Sequence, residues 1–171
     1  MTGFDLRSLR LHPCEERAVE KEIALLGFEL GGQAYVPVPD RVTVALKVAQ
    51  TVSGAVLHLR FAAQLGGPCV RCLAPAVLDL HIVAHEYQDS QPGPGDDLST
   101  VYVEDDILDL SQWAHDEVAL ALPEQILCRP DCAGICPACG KDLNLEPHGH
   151  EQSVPDLRWQ ALADLRDELT P

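Results

Sequence analysis

Six of the seven cysteines fall into closely spaced groups, the pair Cys69-Val70-Arg71-Cys72 and the run Cys128, Cys132, Cys136 and Cys139. Two thiolates two residues apart can point at one cation, because such a turn brings their sulfurs to the edge length of a tetrahedron. The end of the run, Cys136-Pro137-Ala138-Cys139-Gly140, reads as a zinc knuckle. Amides after the first cysteine can donate to its sulfur, and Gly140 supplies the positive φ that turns the chain under the metal. His148-Gly149-His150 follows at finger-like distance, with a glycine that lets both rings approach one centre. His12, His58, His81, His85 and His115 lack such neighbours and are read as ordinary polar residues.

The candidate metal ligands are therefore Cys69, Cys72, Cys128, Cys132, Cys136, Cys139, His148 and His150. A structural zinc takes four protein ligands, so the expected cofactor is Zn2+, one to two ions per chain. One partition closes a centre from Cys69, Cys72, Cys128 and Cys132, and another from Cys136, Cys139, His148 and His150. A rival uses the four cysteines 128, 132, 136 and 139 locally and leaves the Cys69 pair to the two histidines, or to nothing. C-x-x-C is also a redox signature, but a thioredoxin-like dithiol opens a helix in a βαβ context, whereas strands flank this pair. A cysteine-based redox or metal-transfer protein is the alternative reading. Arg71, between the first two cysteines, and Arg129, after Cys128, either offset the thiolate charge or form a small cationic spot for a phosphate or carboxylate.

Composition narrows the functions these ligands could serve. The 171 residues carry 12 Lys plus Arg against 27 Asp plus Glu, a formal charge of −15 that repels phosphate backbones, so an extensive nucleic-acid surface is not expected. A chain of this length buries roughly 70% of its extended surface, and size alone does not demand a metal. The longest apolar runs, such as 23–28 and 118–122, fall far short of the about 20 residues that cross a bilayer. The first residues alternate charged and apolar types without the apolar core of a signal peptide, and the cysteines are odd in number and clustered. These features predict a cytoplasmic chain with no membrane partner. There is no H-E-x-x-H, no G-x-S-x-G and no phosphate-cradling loop, and a centre filled by four protein ligands leaves no position for substrate. No catalytic residue is assigned, and the chain is expected not to be an enzyme.

The elements that must hold the ligands are read from periodicity. Alternation predicts strands over 42–49, 57–64 and 76–87, an antiparallel meander, with Gly66, Gly67 and Pro68 ending the second. Residues 88–100 read as an exposed Pro/Gly/Asp loop, followed by a short strand over 100–103 that would rejoin the sheet. Asp109 and Gln112 have capping-box spacing, and apolar residues recur at helical spacing up to Pro123. A second amphipathic helix is expected over 156–169, while residues 1–40 yield no assignment. The expected fold is α+β: an antiparallel β meander or partial barrel with two amphipathic helices and a zinc-knuckle segment. It is read as one domain over 1–171, with strands in 41–87, a strand and helix in 101–125, the Cys/His segment in 126–152 and the last helix in 153–171.

The order of C-V-R-C-L (69–73), D-L-S-Q-W-A-H-D-E-V-A-L-A-L-P (109–123), C-R-P-D-C-A-G-I-C-P-A-C-G-K-D-L-N (128–144) and R-W-Q-A-L-A-D-L (158–165) resembles the YceD family, the large ribosomal RNA subunit accumulation proteins. The resemblance implies a cytoplasmic, non-enzymatic ribosome-biogenesis factor supporting accumulation of large-subunit (23S) ribosomal RNA. Its implied partner is a large-subunit precursor or a basic ribosomal protein, which suits the acidic surface better than bare RNA. Some family members keep the Cys69 pair and equivalents of Cys128 and Cys132 without the knuckle, which implies the first partition of ligands. His148 and His150 stand where many relatives carry a cysteine, and Asp156-Leu157-Arg158 replaces the family's Asp-Pro-Arg before the last helix.

Overall fold

The structure, a computed structural model, describes residues 3–91 and 99–150. It divides into two compact units, Met1–Cys132 and Ala133–Pro171. In the first unit the described strands are β1 (Gly3–Asp5), β2 (Glu16–Ala24), β3 (Phe28–Leu30), β4 (Gln33–Pro37), β5 (Arg41–Gln50), β6 (Gly54–Pro68), β7 (Pro75–Asp89), β8 (Val103–Glu104) and β9 (Ile107–Asp109). One α-helix, α1 (Leu110–Ala121), follows.

Val42, Val44, Leu46 and Val48 of β5 are buried on one face, with polar or small residues opposite. The same two-residue period buries Leu57, Leu59, Phe61, Ala63 and Leu65 of β6 and Leu80, Ile82 and Ala84 of β7. These three strands pair antiparallel in sequence order. α1 lays Leu110, Trp113, Ala114 and Val118 into the same core. Its N-cap is Asp109, whose carboxylate accepts from the Gln112 amide at 3.0 Å, while the Asp109 N–H donates to the Tyr102 carbonyl at 2.8 Å.

The α+β expectation with two amphipathic helices is corrected. The described residues are dominated by strands and contain one α-helix, and the expected helix over 156–169 lies outside them. The strand content rises because β2, β3 and β4 occupy the first forty residues. β2 pairs along the outer side of β5 and places only Ile23 fully inside, so its pattern of alternating charge hides a strand. Lys47 of β5 reaches Glu16 at 2.7 Å and Arg41 reaches Glu22 at 3.2 Å, both diagonal cross-strand pairs. β3 and β4 form a hairpin through Gly31 and Gly32, whose positive φ values of 58° and 75° suit a two-residue turn.

Two smaller expectations change as well. Gly66, Gly67 and Pro68 do not end β6 but form its last part, where β4 runs beside it. The short strand lies at Val103–Glu104 and joins a separate three-stranded sheet of order β1-β9-β8 rather than the main sheet. Part of the predicted 88–100 loop, residues 92–98, lies outside the described residues.

Candidate metal centres

β6 and β7 pair one to one over fifteen residues each, from Gly54↔Asp89 to Pro68↔Pro75, without a bulge. Residues 69–74 close this hairpin. The Cys69 N–H donates to the Ala74 carbonyl at 2.8 Å and the Leu73 N–H to the Cys69 carbonyl at 2.9 Å, so Cys69 and Cys72 stand on the same side of a tight turn. Behind it, Tyr35 of β4 is fully buried and donates its hydroxyl to the Pro68 carbonyl at 2.8 Å. Gly67 permits this, because a Cβ there would lie 2.2 Å from the Tyr35 ring.

The segment after α1 brings the second cysteine pair to the turn. The Val70 N–H donates to the Ile126 carbonyl at 3.0 Å. The Arg71 guanidinium donates to Gln125 Oε1 at 3.2 and 3.1 Å and to the Cys132 carbonyl at 3.0 Å. Tyr35, Cys69, Ala76, Ile126 and Cys132 pack into a small second core. Cys69 Sγ lies 3.8 Å from Cys132 Sγ, Cys72 Sγ lies 3.6 Å from Cys128 Sγ, and all four sulfurs lie within 4.8 Å of one another. Bonds of about 2.3 Å to one zinc at tetrahedral angles separate sulfurs by about 3.8 Å. A disulfide would need about 2.0 Å.

The charges of this cluster are unequal. Burial raises the Cys69 thiol, but backbone N–H groups of Cys128, Cys72 and Arg71 outweigh that and draw it down to about 6. The Cys128 thiol is pushed up to about 12, first by its hydrogen bond with Cys72 and then by desolvation and the other sulfurs. Four thiolates this close need a cation to coexist.

In the second unit, Cys136-Pro137-Ala138-Cys139-Gly140 repeats the hydrogen-bond pattern of the first turn. The Cys136 N–H donates to the Lys141 carbonyl at 2.8 Å and the Gly140 N–H to the Cys136 carbonyl at 2.8 Å, with Gly140 at φ 73°. An Ile135↔Asp142 bridge closes the loop. Cys139 Sγ lies 3.1 Å from His148 Nε2, and the His148 and His150 rings meet edge to face at 5.0 Å. His148 Nδ1 contacts the Glu146 carbonyl at 2.7 Å, so Nδ1 carries the proton and Nε2 faces the sulfurs. That hydrogen bond is the main cause holding the His148 pKa above its ordinary value. Burial raises the Cys136 thiol, yet the Ala138 and Cys139 amides outweigh it and bring it to about 6.

The eight candidate ligands thus stand in two groups, Cys69, Cys72, Cys128 and Cys132, and Cys136, Cys139, His148 and His150, each able to hold a metal ion. Cys14, the seventh cysteine, is exposed and belongs to neither. Sequence reasoning missed Tyr35 and the strap from Arg71 to Gln125. For Tyr35 the signal was Gly67, a glycine inside a strand, which marks close approach by another group.

A long antiparallel hairpin capped by a cysteine turn and met by a second cysteine pair from beyond the only described α-helix defines a β-sheet protein with a four-cysteine candidate metal centre at its hairpin tip. The chain belongs to the family described as large ribosomal RNA subunit accumulation protein YceD, which matches residues 57–166. It is 38% identical over 125 residues to uncharacterized proteins of Mycobacterium bovis and Mycobacterium tuberculosis, covering 70% of this chain and 59% of theirs. It is 28% identical over 170 residues to an uncharacterized protein of Mycobacterium leprae, covering 95% of this chain and 76% of that one. The chain spans less than two thirds of the length of the first two relatives. No solved structure matches it. Among the described residues no helix is long and apolar enough to cross a membrane.

Proposed function

We propose that this protein is a non-catalytic, cytoplasmic factor that supports accumulation of large-subunit ribosomal RNA, with zinc in its two ligand groups as a structural staple. The family match carries the reading, because it runs from β6 past both ligand groups. Sulfur spacings of 3.6 and 3.8 Å support zinc over a catalytic dithiol. The acidic balance supports a basic ribosomal protein, or a large-subunit precursor presenting one, as the partner. Arg71, bonded to Gln125 and the Cys132 carbonyl, acts as a strap rather than a free cationic spot.

Depletion from the native host, followed by quantification of both ribosomal RNAs, is expected to lower the large-subunit species relative to the small. An unchanged ratio overturns the assignment. Protein purified without chelator is expected to carry one to two zinc ions, and Cys69→Ser or Cys132→Ser to lower metal content and melting temperature together. Replacing both His148 and His150 is expected to remove about one equivalent while the four-cysteine group stays filled. A metal-free protein of unchanged stability, with thiols that cycle under mild oxidants, would favour the redox alternative.

A further inference from the structure

Among the described residues three strands of the main sheet, β2, β3 and β7, pair with a single neighbour, and the two long ones are built differently. β2 pairs only with β5, and five of its nine residues are charged, including Arg17 and Lys21. Such an edge repels further strands. Among the described residues β7 pairs only with β6, and it runs for fifteen residues, P-A-V-L-D-L-H-I-V-A-H-E-Y-Q-D, without a lysine or arginine and with proline only at its first position. The Tyr87 carbonyl accepts from the Thr100 N–H at 3.0 Å, on the side away from β6. Because the register is unbroken, the backbone groups of Val77, Asp79, His81, Val83 and His85 face that same way. Among the described residues none of these five has a backbone partner on that side. Their side chains lie on the exposed face, where Val77 and Val83 are 61% and 66% exposed.

We infer that the open edge of β7 is a docking edge that takes an extended, basic, alternately apolar segment of a partner protein as a further strand. Main-chain hydrogen bonds to the five outward-facing residues supply the affinity, and Val77 and Val83 lie beside alternate guest side chains. Charge selects the occupant. Glu86 near the end of β7 and Asp116 and Glu117 of α1 each act electrostatically on Tyr102, whose hydroxyl donates to Asp116 at 3.2 Å. A guest carrying lysines or arginines complements these carboxylates, whereas a second copy would bring another formal charge of −15 to the same edge. The inference rests on the proposed function in naming where its basic partner would sit.

The test uses the full chain, a synthetic peptide alternating valine with lysine and arginine, and a counterpart with glutamate in place of the cations. The basic peptide is expected to bind and to slow amide exchange at Asp79, His81, Val83 and His85 by about tenfold. His81→Pro removes an outward donor without touching the β6 ladder, and Val83→Lys places a guarding cation on the edge. Each is expected to weaken binding by about tenfold at an unchanged unfolding midpoint. Should the proline variant fail to fold, the lysine variant carries the test. No binding of the basic peptide, binding without protection of those amides, equal binding of the acidic peptide, or protection already present in a self-associated dimer overturns the proposal. In the host, a Val83→Lys chain that fully restores large-subunit RNA overturns the edge and leaves the family role standing. Normal RNA in a null strain overturns the role and leaves the peptide result to decide the edge.

Discussion

Leu73 holds φ 62° at the fifth position of the first cysteine turn, where Gly140 holds φ 73° in the second. The hydrogen bonds are the same, so the left-handed residue is a requirement of the turn rather than of either sequence. A side chain there costs about 1–2 kcal/mol, and glycine costs about 0.5–1 kcal/mol in chain entropy. Leu73→Gly is therefore expected to leave zinc content unchanged and stability equal or higher by up to about 1 kcal/mol, read by chemical denaturation. Gly140→Ala meets nothing within 4 Å, so strain alone acts, and a loss of about 1 kcal/mol of metal-linked stability is expected. Gly67→Ala is different in kind, since its Cβ would strike the buried Tyr35 ring at 2.2 Å. Overpacking of that sort costs on the order of 3 kcal/mol, and by displacing Pro68 and Cys69 it is expected to lower zinc content as well. The eight candidate ligands were legible because cysteine and histidine spacing is local. Tyr35, Gln125 and Ile126 were not, because each acts through a contact tens of residues away in the chain.

At the scale of elements, the strands over β5, β6 and β7 and the start of α1 were legible for one reason: one face meets a core and the other meets water. Asp109 was legible for a different reason, since its cap to Gln112 needs nothing beyond three neighbouring residues. Asp109→Ala is expected to destabilise the first unit by about 1 kcal/mol without altering metal content, measured by urea unfolding and elemental analysis. β2 stayed unread because it covers an edge, so charge occupies both its faces and only Ile23, with Val19 half-buried beside it, reports the core. The β3–β4 hairpin is three and five residues long, too short for periodicity, and its Gly31-Gly32 signal gains meaning only once flanking strands are known. Two helices were expected where the described residues hold one, and the sheet grew at the expense of the α content because the first forty residues build strands.

The first unit carries two cores of unequal standing. The larger, from Ile23 and Val44 through Leu59 to Trp113 and Val118, has no candidate metal ligand in it, whereas the smaller contains two of them, Cys69 and Cys132. Chelation is therefore expected to loosen the unit in part rather than unfold it. Amides of Val70, Leu73 and Cys132 should lose exchange protection while those of Leu46 and Leu59 keep theirs, and global exchange at every site would show that the larger core depends on the metal too. Cys69 and Cys132 stand 63 residues apart in the chain, and Cys72 and Cys128 stand 56 apart. On a translating ribosome, at about 5–20 residues per second, the hairpin tip emerges several seconds before the thiols that complete it. A nascent chain halted between the end of β7 and Cys128 holds a finished hairpin with two waiting sulfurs, so closure of the centre timestamps completion of the unit.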